Sequence, residues 1–474
     1  MKILLVNPPW RLDQDSVYSK TGAIYPPLGL ASMAAVLAEE GAVEVDILDA
    51  WGLGMGLEKF AAAVRARRPD LIGITGYTTT IVQALSAAER AKTARPEAAV
   101  VMGGPHPSIY PDEIMSFPQV DYLIRGEGEL SFAALTKKLA DGDTALVDIP
   151  GLTRRVDGEI AHNDGCGFVP DLTALPPPAR DKLPMSIYRP AAGAYRRTPV
   201  TSMITSRGCP FNCTFCSKAI FGGTVRFRTP VQVLAEAEDL IERYGIREIY
   251  FADDCLTLDR ERTADICQLF LEKSLDLTWT CSTRVNLVDR ELLKLMNRAG
   301  CVSIGYGIET GSPETARKVK KGITLEQARE AIVLTRAAGI ETRASYIFGF
   351  PGEGWASLEE TLRTALELDS DFVIFNLAIP LPGTELYREA RDKGLLLADG
   401  FDMYPLTDGA HVLIRLEELS PGQLKKFYDR AYRTYYLRLR YFLRRLQRIR
   451  SLADLRLNWR GFKEFFAWRR NSHE

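Results

Sequence analysis

Short apolar segments alternate with helix-patterned segments twice along this chain, and that rhythm restricts the fold more than any other feature. In the first run, strand-like segments are Lys2–Val6, Val43–Leu48, Leu71–Thr75, Ala98–Met102 and Tyr122–Ile124. Helix-like segments lie between and after them at Leu28–Glu40, Leu57–Arg67, Ile81–Lys92 and Ser131–Leu139. Strand–helix alternation with short connections predicts a doubly wound parallel sheet, whose ligands bind beyond the carboxyl ends of the strands. A second run follows from about residue 196 to 390. Its strands are expected at Thr201–Thr205, Glu248–Ala252, Leu277–Ser282, Val302–Gly307, Glu341–Ile347 and Phe372–Ile379. Helices such as Val231–Tyr244, Arg260–Glu272, Arg290–Ala299, Leu325–Ala338 and Ser357–Leu368 fall between them. Six such units suggest a partial (β/α)6 barrel of TIM type, again with its site at the carboxyl rim.

The chain is therefore expected to be α/β. A Rossmann-like domain spans 1–142, a hairpin and proline-rich linker 143–195, the partial barrel 196–390 and a helical carboxy-terminal segment 391–474. A length of 474 residues suits two or three domains. In the linker, Asp157-Gly158 reads as a hairpin turn and Pro176-Pro177-Pro178 as a stiff strap, neither of them a catalytic part. No apolar run approaches the ~18 residues needed to span a bilayer. The first strand is too short for a signal peptide, so a cytoplasmic protein is expected.

Chemistry enters where the second run begins. Its first strand is followed by Arg207-Gly208-Cys209-Pro210-Phe211-Asn212-Cys213-Thr214-Phe215-Cys216, with cysteines spaced C-x3-C-x2-C. Three thiolates can hold three irons of a cubane [4Fe–4S] cluster and leave the fourth open to another ligand. Structural zinc asks for a fourth Cys or His at short, regular spacing, and the nearest downstream histidine is His411. Eight scattered cysteines without a secretory signal argue against a disulfide framework. Cys255, Cys267, Cys281 and Cys301 show no ligand spacing and read as core residues. Cys255 and Cys281 lie near the rim, where they could touch substrate.

With Phe215 before the third cysteine, this loop resembles the signature of the radical S-adenosylmethionine (SAM) superfamily, C-x3-C-x-aromatic-C. The resemblance implies that Cys209, Cys213 and Cys216 ligate the cluster, that SAM completes it beside Phe215, and that the fold is the family's six-unit barrel. It also assigns roles along the rim. Asp253 or Asp254 receives the SAM amino group, where many members have Gly-Gly-Glu; a helix N-cap is the competing use of either. Ser282 and Arg284 end the third strand, and the arginine suits the SAM carboxylate or substrate. Glu309, in Gly305-Tyr306-Gly307-Ile308-Glu309, is the ribose candidate. Gly349, in Gly349-Phe350-Pro351-Gly352-Glu353, belongs near the adenine. Asn376 and Pro380-Leu381-Pro382-Gly383 close the sixth strand.

The first run lacks G-x-G-x-x-G after its first strand, which argues against a nicotinamide or flavin site. It resembles instead the cobalamin-binding domain that precedes the barrel in one radical SAM subgroup. The likeness covers roughly residues 1–140 and rests on Tyr25-Pro26-Pro27-Leu28-Gly29-Leu30 and three strand-end segments. These are the hydroxyl turn Thr75-Gly76-Tyr77-Thr78, the Gly103-Gly104-Pro105-His106 segment and Arg125-Gly126-Glu127-Gly128-Glu129. It implies cobalamin contacts from Thr75, Tyr77, Thr78, Gly103, Gly104, His106, Gly126 and Glu127. Mutase-type domains carry D-x-H-x-x-G after the first strand, with a cobalt-ligating histidine. Here that stretch reads Pro8-Pro9-Trp10-Arg11-Leu12-Asp13. Cobalamin would lack that ligand, and His106 reads as a cobalt ligand, a pocket hydrogen-bonding group or a plain loop histidine. A doubly wound module that has lost its cofactor is the alternative for the whole domain.

The resemblance implies an enzyme that reductively cleaves SAM to a 5′-deoxyadenosyl radical. With cobalamin, C-methylation of an unactivated carbon is the first expectation. Cyclisation or rearrangement of a tetrapyrrole, hopanoid or lipid is the second, and a non-catalytic cobalamin or Fe–S sensor a distant third. A small-molecule substrate of hydrophobic character and an electron donor such as flavodoxin or ferredoxin are the implied partners; nucleic acid is not.

Overall, 60 Lys and Arg nearly balance 61 Asp and Glu, yet residues 425–474 carry 15 basic against 4 acidic side chains. The tail interleaves them with Tyr, Phe, Leu and Trp in a helical pattern. Such a helix can pack across the acidic body with its arginines paired to it, or lie peripherally on an anionic inner-membrane face.

Overall fold

The computed structural model describes residues 1–9, 23–39, 41, 43–190, 195–398, 400, 404 and 411–447. Its first sheet has seven strands: β1 (Lys2–Asn7), β2 (Glu44–Asp49), β3 (Leu71–Thr75), β4 (Ala99–Gly103), β5 (Tyr122–Ile124), β6 (Leu152–Val156) and β7 (Glu159–His162). They lie in the order β2-β1-β3-β4-β5-β6-β7. The first five are parallel, and strand order reverses between β1 and β3, the switch point at which doubly wound sheets open a ligand crevice. Ile3, Leu4, Leu5 and Val6 are all buried, as expected of a strand covered on both faces. The expected linker hairpin is present as β6 and β7, and it extends this sheet antiparallel to β5.

The second sheet consists of β8 (Val200–Met203), β11 (Glu248–Phe251), β12 (Thr278–Thr283), β13 (Cys301–Glu309), β14 (Glu341–Phe348) and β15 (Phe372–Leu377), all parallel and in sequential order. Helices follow the strands and bury a shared core against them, giving the partial barrel. A two-stranded ribbon, β9 (Ser206–Arg207) with β10 (Arg226–Phe227), brackets the cysteine loop. The first barrel strand stops at Met203, two residues before its expected end. There the chain turns to give the Thr205 amide and the Thr205 and Ser206 hydroxyls to the Asp253 carboxylate.

Both edges of this sheet are covered. At β8, Arg180 from the strap donates to the Ser202 carbonyl (2.7 Å). At β15, the helix Pro421–Tyr436 aligns two tyrosines with the edge. The Tyr432 hydroxyl accepts from the Phe375 amide (3.1 Å) and donates to its carbonyl (2.9 Å). Tyr436 does the same at Val373 (3.0 and 2.6 Å). The match is geometric: four helical residues rise ~6 Å and two strand residues ~6.6 Å.

The helix Leu439–Gln447 follows, and Arg438, Arg440 and Arg444 converge on the buried Asp369. This part of the basic segment is paired with the body. The remainder, 448–474, lies outside the described residues. No described helix is long and apolar enough to cross a membrane.

Candidate active site

The carboxyl ends of the two sheets face one cavity of about 1080 Å³. From the barrel side come Cys209, Cys213, Cys216, Phe215, Asp254, Cys255, Arg284, Glu309 and Lys321. From the first sheet come Asn7, Thr75, Tyr77, Thr78, Gly103, Gly104, Gly126 and Glu127.

The cysteine loop leaves β9 through Gly208 at φ +90°, where a Cβ would stand 2.3 Å from the Thr224 carbonyl oxygen. Only glycine fits there. The loop is pinned by Thr214, whose amide donates to Val319 O (3.1 Å) and whose carbonyl accepts from the Leu386 amide (2.9 Å). Burial, then Asp254 and the other two cysteines, push the Cys216 thiol up to about 11. Cluster assembly must therefore displace a thiol proton there. Among the described residues no His, Cys, Asp and Glu are already gathered at metal-ligand distances. The three free sulfurs nonetheless share one cavity wall on a pinned loop, the donor set an iron–sulfur cluster uses.

The structure separates the two aspartates that the sequence left joined. Asp253 is buried, spent on Thr205 and Ser206, and is not among the lining residues. Asp254 lines the cavity; partial desolvation raises its carboxyl, against a hydrogen bond from the Gly208 amide. Glu309, at φ +71°, pairs with Lys321 (2.9 Å) at the cavity wall. Arg284 also faces the cavity, but its guanidinium is already engaged. It lies over the Phe211 ring at 3.7 Å, donates to Lys321 O and Gly322 O, and reaches to 3.9 Å of the Cys213 sulfur. The cysteine loop is thereby tied to the turn between the helices Pro313–Lys318 and Leu325–Ala337.

Ser282 and Gly349 do not line the cavity. Ser282 packs under Gly305. Gly349 sits in a turn closed by Glu353, which accepts from the Gly349 and Phe350 amides. Its missing side chain makes room for Leu424. Asn376 is likewise off the cavity, whereas Leu381 and Pro382 line it. Of the remaining cysteines, Cys255 lines the cavity, 3.1 Å from Thr283 Oγ1, and Cys281 is core.

On the first sheet, Gly104 has φ +100°, and a Cβ there would stand 2.9 Å from both Gly76 O and Thr75 Oγ1. His106 lies behind this rim. It is fully buried, bonded through Nδ1 to Thr78 Oγ1 (3.2 Å) and packed on Tyr110, and burial lowers it to about 4. It is a neutral support for the hydroxyl turn and does not line the cavity. Glu127 touches the cavity, but its oxygens are committed to Arg207 (3.1 Å), Arg226 (2.6 Å) and the Val169 amide. Arg207 also holds Glu129 (2.6 Å). This buried cluster joins the end of β5 to the ribbon that carries the cysteine loop.

Sequence reasoning missed a slot beneath the first rim, lined by Leu5, Gly73, Val101, Phe132 and Met33. A Cβ on Gly73 would meet Leu5 Cδ2 and Phe132 Cε2 at 3.0 Å, so glycine keeps the slot open. The signal was visible: a lone glycine inside an apolar strand marks a close approach. Cobalamin fits this arrangement, since its bulk needs a side-chain-free rim and its nucleotide tail a narrow slot. The strap also contributes: Leu172, Leu175, Pro176 and Pro178 line the cavity, against the expectation of a plain connector.

A cysteine loop on a partial barrel, facing a glycine-rich doubly wound rim, defines an enzyme built around an open iron–sulfur cluster and a second cofactor. Residues 203–365 match the model of the radical SAM superfamily, and residues 16–136 match that of the B12 binding domain. Over 440 residues the chain is 36% identical to an uncharacterized methyltransferase of Pyrococcus horikoshii, covering 92% of this chain and 93% of that one. It is 28% identical over 401 residues to the anaerobic magnesium-protoporphyrin IX monomethyl ester cyclase of Rubrivivax gelatinosus, covering 83% and 70%. The radical SAM methyltransferase TsrM of Kitasatospora setae, solved with cobalamin and a [4Fe–4S] cluster, shares the fold. Its TM-score is 0.68 at 21% identity, with 90% and 81% of the chains covered. The chain belongs to the radical SAM superfamily and carries the B12-binding domain of its cobalamin-dependent members; its cofactors are a [4Fe–4S] cluster, SAM and cobalamin.

Proposed function

We propose that the enzyme is a C-methyltransferase acting on an unactivated carbon of a largely apolar acceptor. The observation that carries this reading is the single cavity with the cysteine loop on one wall and the glycine-rich rim on the other, so that an acceptor between them would meet both cofactors. When bound, the cluster supplies an electron that cleaves SAM to the 5′-deoxyadenosyl radical, and cobalamin supplies the methyl group. The protein's part is to hold, orient and shield.

Cys209, Cys213 and Cys216 are assigned to the cluster and Asp254 to the SAM amino group. Glu309, fixed by Lys321, is assigned to the ribose, and Phe215 and Arg284 to the wall around them. Thr75, Tyr77, Thr78, Gly103, Gly104 and Gly126 are assigned to cobalamin, with residues 1–142 forming its domain and 196–390 the SAM domain. Pro26, Pro27, Leu172, Leu175, Pro178 and Tyr250 give the rest of the cavity an apolar surface suited to a hydrophobic acceptor. A flavodoxin- or ferredoxin-type donor would deliver the electron.

The test is anaerobic reconstitution with iron, sulfide, cobalamin and SAM labelled in its methyl group. Label in the product supports methylation. SAM cleavage with an unlabelled, ring-closed product supports radical cyclisation, the second reading, which the likeness to the magnesium-protoporphyrin ester cyclase favours. No SAM cleavage under dithionite defeats both.

A further inference from the structure

Arg228 follows β10 and lines the cavity while only 8% exposed. Its Nη1 pairs with Glu236. Glu236 is shared, because its other oxygen takes Arg180 Nη2 at 2.8 Å. Nε of Arg228 is buried without a hydrogen-bond partner, whereas Nη2 is not among the buried unpartnered atoms. Arg262 packs against the same stretch and donates to the carbonyls of Arg228 and Thr205. Arg180, Arg228 and Arg262 thus share this region with the buried carboxylates Glu236 and Asp253 and, beside Arg262, with Asp259. The other cavity-lining arginines are better satisfied: Arg207 holds two carboxylates, and Arg284 is covered by two carbonyls and the Phe211 ring.

A buried Nε–H left without a partner is costly, and an oxyanion offered from the cavity would satisfy it together with Nη2 through the planar Nε–Nη2 fork. We infer that Arg228 is an anion-recognising residue of this cavity, taking a carboxylate or phosphate-type group from a ligand bound between the two rims. The strap supports this placement. Leu172–Ala174 packs on β10, Leu172 lines the cavity, and Gln232 at the start of the next helix donates to Thr173 O (2.8 Å), so an apolar wall flanks the charged fork. Two ligands could carry the anion: SAM, through its own carboxylate, or the acceptor. An acceptor that used this fork would be an apolar molecule with an acidic end. The inference rests on the proposed function only in that both ligands share the cavity.

The experiment uses the cluster- and cobalamin-loaded enzyme and needs no turnover, so it reads out independently of methyl transfer. One arm compares the affinity of SAM with that of its decarboxylated analogue. The other measures inorganic phosphate binding by calorimetry with SAM present. If SAM supplies the anion, Arg228→Gln weakens SAM binding by about tenfold or more and leaves the decarboxylated analogue unchanged. If the acceptor supplies it, both SAM affinities stay as in the wild type, while phosphate binding falls by a similar factor. Arg228→Lys should recover part of either loss, and Glu236→Gln should retain or strengthen anion binding because the internal competitor is gone. The inference is overturned if Arg228→Gln leaves SAM and phosphate binding unchanged. It is equally overturned if Arg228→Gln and Glu236→Gln weaken SAM and the decarboxylated analogue alike, which would mark a purely structural ion pair.

Discussion

The first sheet offers the cavity mostly backbone, hydroxyl groups and apolar surface: Gly103, Gly104 and Gly126 without side chains, Thr75 and Thr78 with hydroxyls, and a slot kept open by Gly73. The second offers thiols, carboxylates and cations: the three loop cysteines, Asp254, Glu309 and Arg284. The difference follows from what each must hold. A corrin ring is wide and bordered by amides, so fit comes from removing side chains and lining the gap with hydrogen-bonding groups. A cluster and a zwitterionic nucleoside need ligating sulfur and countercharge. The charges that do stand at the first rim, Glu127 and Glu129, are turned away to the other domain through Arg207 and Arg226.

The contrast breaks most completely at the cysteine loop. Cys213→Ala should abolish cluster assembly and SAM cleavage together while leaving cobalamin binding intact, read from iron content, absorbance and a cobalamin titration. At the opposite wall, Gly104→Val forces a Cβ onto the Gly76 carbonyl at a φ of +100°, and it should cut cobalamin affinity by about tenfold or more. SAM cleavage should persist. Loss of both functions in this variant would mean that the rims are not separable.

Between the walls, Arg207→Ala strands Glu129 in a buried site, leaves Glu127 to Arg226 alone, and should cost ~3–5 kcal/mol in denaturant unfolding. Arg207→Lys should recover only part, since one ammonium cannot reproduce the forked pairing. A smaller effect comes from pH. His106 stays neutral in the fold down to about pH 4 but takes up its proton near 6.5 when unfolded. Its contribution is complete above ~6.5 and is lost as pH falls towards 4, by at most ~3 kcal/mol. His106→Gln should flatten that part of the stability profile. The smallest change is expected far from both rims: Tyr432→Phe and Tyr436→Phe each remove two edge hydrogen bonds and should cost ~1–2 kcal/mol. Faster hydrogen exchange confined to the Phe375 or Val373 amide would identify the bond lost.

What could be read from the sequence was whatever is local. The alternation of strands and helices, the C-x3-C-x2-C spacing and the glycine pairs after strands each carry their meaning within a few residues. Asp253 and Asp254 could not be told apart, because the difference is which one Thr205 and Ser206 claim across the sheet. Glu127 looked like a cofactor contact until Arg207 and Arg226, 80 and 99 residues away, took its oxygens. His106 sits beside a cavity-lining glycine pair, yet its ring turns inward to Thr78. Arg228 carried no motif at all; its incomplete pairing shows in the unpartnered Nε and in the sharing of Glu236 with Arg180.

The tyrosine pair along β15 decides where the barrel stops. A sheet edge normally ends because the chain runs out of strands, and its unpaired groups remain open to another one. Here Val373 and Phe375 have their amides and carbonyls taken by phenol groups, so a seventh strand would find no partners there. The crescent is terminated and not merely unfinished. That leaves the width of its mouth independent of barrel closure, and the size of molecule it admits becomes a property of the strap and the opposing domain, parts that can change without rebuilding the sheet.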